Sequence, residues 1–156
     1  MKNPDISFED AKARKKKGSQ GKSAESAVQK LLDQRRREGK LDFIRLLDSR
    51  AAGRTVAAQP CDFIVFAPGN TIALEVKQVS KGDRLPNQSF TQLPRMAALA
   101  RQKVTAVLLV FLLETNTWWA VDVGSMSPAP SWKVGGEGWR GHSSCDIFLD
   151  LNQSNV

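Results

Sequence analysis

Hydrophobic and polar positions along this chain follow two different periods, and the changes of period mark its elements. Ala24, Val28, Leu31 and Leu32 recur at helical spacing behind Ser23, a natural N-cap. Arg35, Arg36 and Arg37 then complement the helix dipole, and Gly39 supplies a stop. Residues 41–47 read as a short strand and residues 48–60 as a connection of low order. A hairpin follows: a strand over 62–66, the turn residues Ala67-Pro68-Gly69-Asn70, and a strand over 71–77. Residues 78–88 form a polar loop. Residues 91–102 place Met96, Leu99 and Ala100 on one face with Pro94 in the first turn, which predicts a second helix. Residues 104–113 are apolar apart from Thr105 and predict a buried strand, joined by a hairpin to a strand over 118–123. Residues 125–144 are rich in Gly, Pro and Ser without a period, and 145–151 alternate like a last edge strand. The predicted fold class is α/β: a mixed central β-sheet flanked by helices, in one domain over 23–156.

Ahead of that domain lies a different composition. Lys2, Lys12, Arg14, Lys15, Lys16, Lys17 and Lys22 stand against Asp5, Glu9 and Asp10, apolar residues are scarce, and Gly18-Ser19-Gln20-Gly21 is expected to break any helix. Residues 1–22 therefore read as a flexible basic arm, either a plain solvated tail or a set of phosphate contacts. The whole chain of 156 residues carries 23 Lys plus Arg against 16 Asp plus Glu, a net charge of +7. That excess favours an acidic polymer as partner, nucleic acid first. Hydrophobic residues at 41% and charged residues at 25% exclude a mostly disordered or fibrous chain. The N-terminus is polar where a secretory signal would turn apolar. The longest apolar run is about half of the roughly 20 residues a spanning helix needs, so no membrane association is expected. Two cysteines, Cys61 and Cys145, are too few for a disulfide framework, and a reducing, cytoplasmic compartment is the expectation.

The hairpin carries the candidate chemistry. If its strands pair across the turn, Phe66 faces Thr71, Ile64 faces Ala73 and Asp62 faces Glu75. Two carboxylates directly opposite in an antiparallel pair destabilise each other. Lys77, two residues beyond Glu75, projects from the same face, while Ile72, Leu74 and Val76 take the opposite face and supply core. A hard divalent cation would compensate the facing acids, with Asp62, Glu75 and the Val76 backbone carbonyl as ligands. Lys77 would orient the attacking water and offset charge in a phosphoryl transition state. Glu25 sits on the inward edge of the first helix, in reach of the metal directly or through water, or else is an ordinary solvated helix-start acid. The plainer alternative for the strands is a charged face with an incidental salt bridge.

Asp62, then Glu75-Val76-Lys77, with Glu25 upstream, resemble the PD-(D/E)XK nuclease superfamily. Within it the chain is similar to small Holliday junction resolvases of the RecU type and their phage relatives, with some likeness to the archaeal Hjc type. Gly21-Lys22-Ser23-Ala24-Glu25 resembles the Gly-x-x-x-Glu helix start of these enzymes, and Ser89-Phe90-Thr91-Gln92 the segment in which a glutamine opens the helix after the active-site strand. The resemblance covers about residues 18 to 123. It implies a Mg²⁺-dependent (Mn²⁺-tolerant) endodeoxyribonuclease acting on four-way DNA junctions as a homodimer, in a bacterial or phage-infected cell. Glu25, Asp62, Glu75, Lys77 and Gln92 would form the catalytic site, and Lys12, Arg14, Lys15, Lys16, Lys17, Lys22, Arg50, Arg54 and Lys81 would touch DNA. Cys61 stands where the family carries proline, and residues after Val123 match no part of it. A linear-duplex nuclease of the same superfamily and a non-catalytic nucleic-acid-binding protein are the rival expectations. His142 and Cys145 lack the further ligands zinc needs. Trp118 and Trp119 put one indole on each face of their strand.

Overall fold

The computed structural model describes residues 8–46 and 59–151, with side chains from residue 23 onward. Arg50, Arg54 and most of the 48–60 connection lie outside the described residues, as do residues 1–7 and the side chains of Lys12, Arg14, Lys15, Lys16, Lys17 and Lys22. The first helix, α1 (Phe8–Arg37), is longer than its apolar pattern suggests. It begins well before Ser23, and Gly18-Ser19-Gln20-Gly21 lies inside it, which corrects the helix break expected there. Alanine, lysine and arginine are strong helix formers, and a glycine costs only about 1 kcal/mol when a packed C-terminal half already anchors the helix. That half is anchored: Ala24, Val28 and Leu32 are fully packed against the sheet. The predicted stop holds. Gly39 takes a positive φ of 71°, its N–H bonds the Arg36 carbonyl, and the Lys40 N–H reaches the Arg35 carbonyl. This pattern of two backward bonds closes a helix around a left-handed residue.

The strands β1 (Asp42–Arg45), β2 (Phe63–Ala67), β3 (Asn70–Val79), β5 (Thr105–Leu112), β6 (Thr117–Asp122) and β8 (Arg140–His142) form one six-stranded sheet in the order β1-β2-β3-β5-β6-β8. β3 and β5 are parallel and every other pair is antiparallel, so the sheet is mixed. Parallel pairing requires a crossover, and α2 (Leu93–Arg101) provides it. The β2–β3 hairpin has the predicted register, with Phe66 opposite Thr71 and Ile64 opposite Ala73. Its turn is Pro68-Gly69, and Gly69 supplies the positive φ of 71° that the second turn position needs.

The sheet divides the core in two. Ile72, Leu74 and Val76 pack with α1 on one face, while Ala73 and Val79 pack with Met96 of α2 on the other. Two sequence expectations change here. Residues 145–151 form a short helix, α3 (Ile147–Asp150), instead of an edge strand. Ile147 and Phe148 are both buried, which a strand with one wet face cannot achieve for neighbours, and Asp146 ion-pairs with Arg35 at 3.2 Å. The edge is β8. The loop 78–88 and the aperiodic 125–144 stretch also contain a second, two-stranded sheet of β4 (Arg84–Pro86) and β7 (Ser131–Lys133).

Trp118 and Trp119 do fall on opposite faces. Trp119 lies opposite Gly141, and its indole is held between Gly135 and Gly141 while Nε1 bonds the Thr117 hydroxyl at 3.1 Å. A methyl on Gly141 would sit 2.6 Å from the ring, and Gly135 blocks retreat. Gly141→Ala should therefore destabilise the protein by about 1–3 kcal/mol in urea denaturation. Adding Trp119→Leu should recover much of that loss; an unchanged midpoint for Gly141→Ala would show that β8 does not pack on the indole.

Candidate active site

The register of the β2–β3 hairpin brings Asp62 to the end of β2, beside Glu75 at the middle of β3. Regular pairing stops at Phe63 opposite Leu74. Asp62 then leaves the ladder: its N–H bonds the Leu74 carbonyl at 3.1 Å, and its Oδ2 accepts the Val76 N–H at 2.9 Å. Its own carbonyl stays tied to β1 through the Leu46 N–H at 2.8 Å. The Asp62 carboxylate thus replaces a backbone acceptor past the end of β2. A strand residue's N–H and C=O leave on the same side, so the Val76 carbonyl also faces this gap, beyond β2's last partner.

Glu75 is the only charged or polar residue of the described set that is buried, at 1% exposure. Its Oε1 receives the Lys77 ammonium at 3.0 Å, while Oε2 has no partner among the described residues. Burial pushes its carboxyl well above the ordinary range, the neighbouring Asp62 charge pushes it further, and Lys77 opposes both. Asp62 is raised as well, mainly by burial, with the Val76 N–H working against the rise and Glu25 adding to it. The two acids are therefore neighbours that disfavour each other's charge. Burial, and after it the neighbouring Glu75 and Asp62 charges, raise the thiol of adjacent Cys61 to about 12.

Glu25 arrives from the other face of the sheet, at the end where α1 meets β3. Ser23 lies inside α1, not at its cap, and donates to the Gln78 side chain at 3.1 Å. Glu25 is half-buried and acts electrostatically on both Asp62 and Glu75, yet its Oε2 is held by Arg45 of β1 at 3.0 Å. Arg45, whose charge also acts on Asp62, is the participant that sequence reasoning did not assign to the site. Its only sequence signal is a cation at the end of the strand that flanks the hairpin. Gln92 is the N-cap residue of α2, half-buried, and its side chain meets Thr91 at 3.4 Å. Lys81 lies exposed in the loop after β3.

Among the described residues no three His, Cys, Asp or Glu side chains form a ready metal-holding group. The donor set that does converge is two carboxylates, Asp62 and Glu75, beside the Val76 carbonyl. All are hard oxygen donors, and the orphaned Oε2 of Glu75 is the kind of atom a cation would satisfy. The set fits a divalent cation that keeps several waters.

No family model and no curated protein matches the chain. Among solved structures it is similar to Hjc, a Holliday junction resolvase from the archaeal hyperthermophile Archaeoglobus fulgidus. Identity is 18% and the TM-score 0.45, over 69% of this chain and 86% of that one.

A buried acid without full compensation costs stability when the cation is withheld. Glu75→Gln should then raise the melting temperature in chelator at neutral pH, by about 2–4 °C for each kcal/mol relieved. Millimolar Mg²⁺ should raise the melting temperature of the native chain and leave that of the variant unchanged. A variant that melts lower than the native protein in chelator would mean that the Lys77 pairing already compensates Glu75.

Proposed function

We propose that this chain is a divalent-metal-dependent endodeoxyribonuclease of the PD-(D/E)XK kind, acting on four-way DNA junctions in the manner of RecU-type resolvases. The observation that carries the reading is the buried Glu75, set beside Asp62 and bonded to Lys77 where β2 ends. Asp62, Glu75 and the Val76 carbonyl would hold Mg²⁺ or Mn²⁺, which supplies Lewis-acid stabilisation of the phosphoryl oxygens. Lys77, half-buried and anchored by Glu75, would turn its remaining ammonium protons toward the scissile phosphate. There it orients water for attack and offsets the charge that develops on phosphorus-bound oxygen. Glu25 and Arg45 pair on the α1 side, and Glu25 would join the site as a further acid on leaving Arg45.

Resolution requires matched cuts in two strands, so two copies related by a two-fold axis would act together. The basic residues Lys12, Arg14, Lys15, Lys16, Lys17 and Lys22, with Arg50, Arg54 and Lys81, would track phosphates without reading sequence. Among the described residues no helix is long and apolar enough to cross a membrane.

The direct test compares cleavage of a synthetic four-way junction and of linear duplex in Mg²⁺ and in chelator. The native chain should cut the junction preferentially and only with metal. Glu75→Ala should abolish cutting, and Lys77→Met should slow it by about 10²–10³-fold, both with junction binding retained. Preference for linear duplex would reject resolution and keep a nuclease. Cleavage by Glu75→Ala at the native rate would reject the site.

A further inference from the structure

The chain beyond β6 takes no part in the chemistry proposed above, yet it completes a second sheet. In the β4–β7 ribbon Leu85 lies opposite Trp132, and both side chains are buried. Trp132 meets Phe90 edge-on at 6.3 Å and its Nε1 bonds the Ser127 carbonyl at 2.9 Å. The Val134 N–H fixes the ribbon's end to the Asp83 carbonyl at 2.7 Å. Leu85, Trp132 and Val134 belong to the apolar cluster that also holds Cys61, Ala73 and Val79. The ribbon is thus fastened to the face of the sheet that bears Glu75 and Lys77.

Its outer face is cationic. Arg84 stands directly opposite Lys133, and both are exposed. Like charges so placed repel, and nothing in the packing demands them, because alternation only requires that these two positions be polar. The Arg84 guanidinium bonds a neutral group, the Ser131 hydroxyl, at 3.0 Å. Asp83 and Glu137 are the nearby acids in sequence, and among the described residues neither forms an ion pair with Arg84, Lys133 or Lys81. The ribbon also begins close to the site. About seven residues separate Lys77 from Arg84, a span of at most about 25 Å when fully extended, shorter than the roughly 34 Å of one turn of duplex.

We propose that the β4–β7 ribbon is a DNA phosphate clamp, in which Arg84 and Lys133 grip the backbone of the strand lying across Glu75 and Lys77. The proposal rests on the nuclease reading for the identity of its ligand and is tested apart from cleavage. A rigid ribbon with paired cations matches a polyanion of regular charge spacing, and the repulsion between Arg84 and Lys133 is relieved when phosphates come between them. Neither residue reads bases in this arrangement, so the clamp adds affinity and position without sequence preference.

The experiment measures binding of a labelled four-way junction in chelator, from 50 to 300 mM monovalent salt. Arg84→Gln/Lys133→Gln should reduce the slope of log affinity against log salt by about 1.8, the release expected for two phosphate contacts. Lys40→Gln/Lys103→Gln removes the same net charge at the far, turn end of the hairpin and should keep the native slope. A double ribbon variant with the native slope, or one matched by the control, overturns the clamp. So does a lowered melting temperature for the ribbon variant, because that would make the facing cations structural. Cleavage is scored on the native chain alone. If it binds with the full slope, loses it in the ribbon variant and never cuts, the nuclease reading falls while the clamp stands.

Discussion

An acid held out of water beside a second acid is the constraint around which the centre of this molecule is arranged. Glu75 is carried at the middle of β3, between β2 and β5, with the apolar side chains of both cores above and below it. Removing a carboxylate from water costs several kcal/mol unless partners replace the lost hydration. One oxygen finds Lys77, the other finds no partner among the described residues, and Asp62 makes the balance worse. A chain selected for stability alone would place an apolar residue at that position. A buried acid there is the strongest physical reason to assign chemistry to the position.

The surrounding elements can be read as supports for that arrangement. The tight Pro68-Gly69 turn sets the hairpin register, and the register determines that Asp62, not a neighbour, meets the end of the ladder. Asp62 then leaves regular pairing and uses its side chain in place of a backbone carbonyl, which orients the carboxylate without lengthening β2. Pairing of β3 with β5 from Ile72 to Val79 supports the strand beneath Glu75 and Lys77. α1 closes the opposite face and delivers Glu25 with its partner Arg45. The ribbon fastened by Trp132 covers the α2 side.

Much of this was legible in the sequence because it depends on local spacing. The turn residues and the period-two pattern of 62–66 and 71–77 were enough for the register, and with it the shared face of Glu75 and Lys77. The mixed sheet follows from an apolar strand that comes after a helix. Other features were hidden because distant contacts decide them. Phe8 to Gly21 shows no apolar period, so only helix propensity and an anchored continuation carry α1 through its glycines. Ile147 and Phe148 look like members of an alternating strand until α1 and Arg35 give them one shared surface. Arg84 and Lys133 are far apart in the chain, and no local pattern announces that Leu85 and Trp132 will pair. Arg45 reaches Glu25 across a helix–strand interface that spacing cannot reveal.

Occupancy of the gap beside Glu75 by a cation is the claim on which the functional reading stands. The most direct measurement is a crystal grown with Mn²⁺ and recorded at a wavelength that gives the metal an anomalous signal. A difference peak bonded to the Asp62 and Glu75 carboxylates and to the Val76 carbonyl is the expected result, with Glu75 Oε2 as one of the ligands. A map with no peak there, with Glu75 still paired to Lys77 alone, would contradict it.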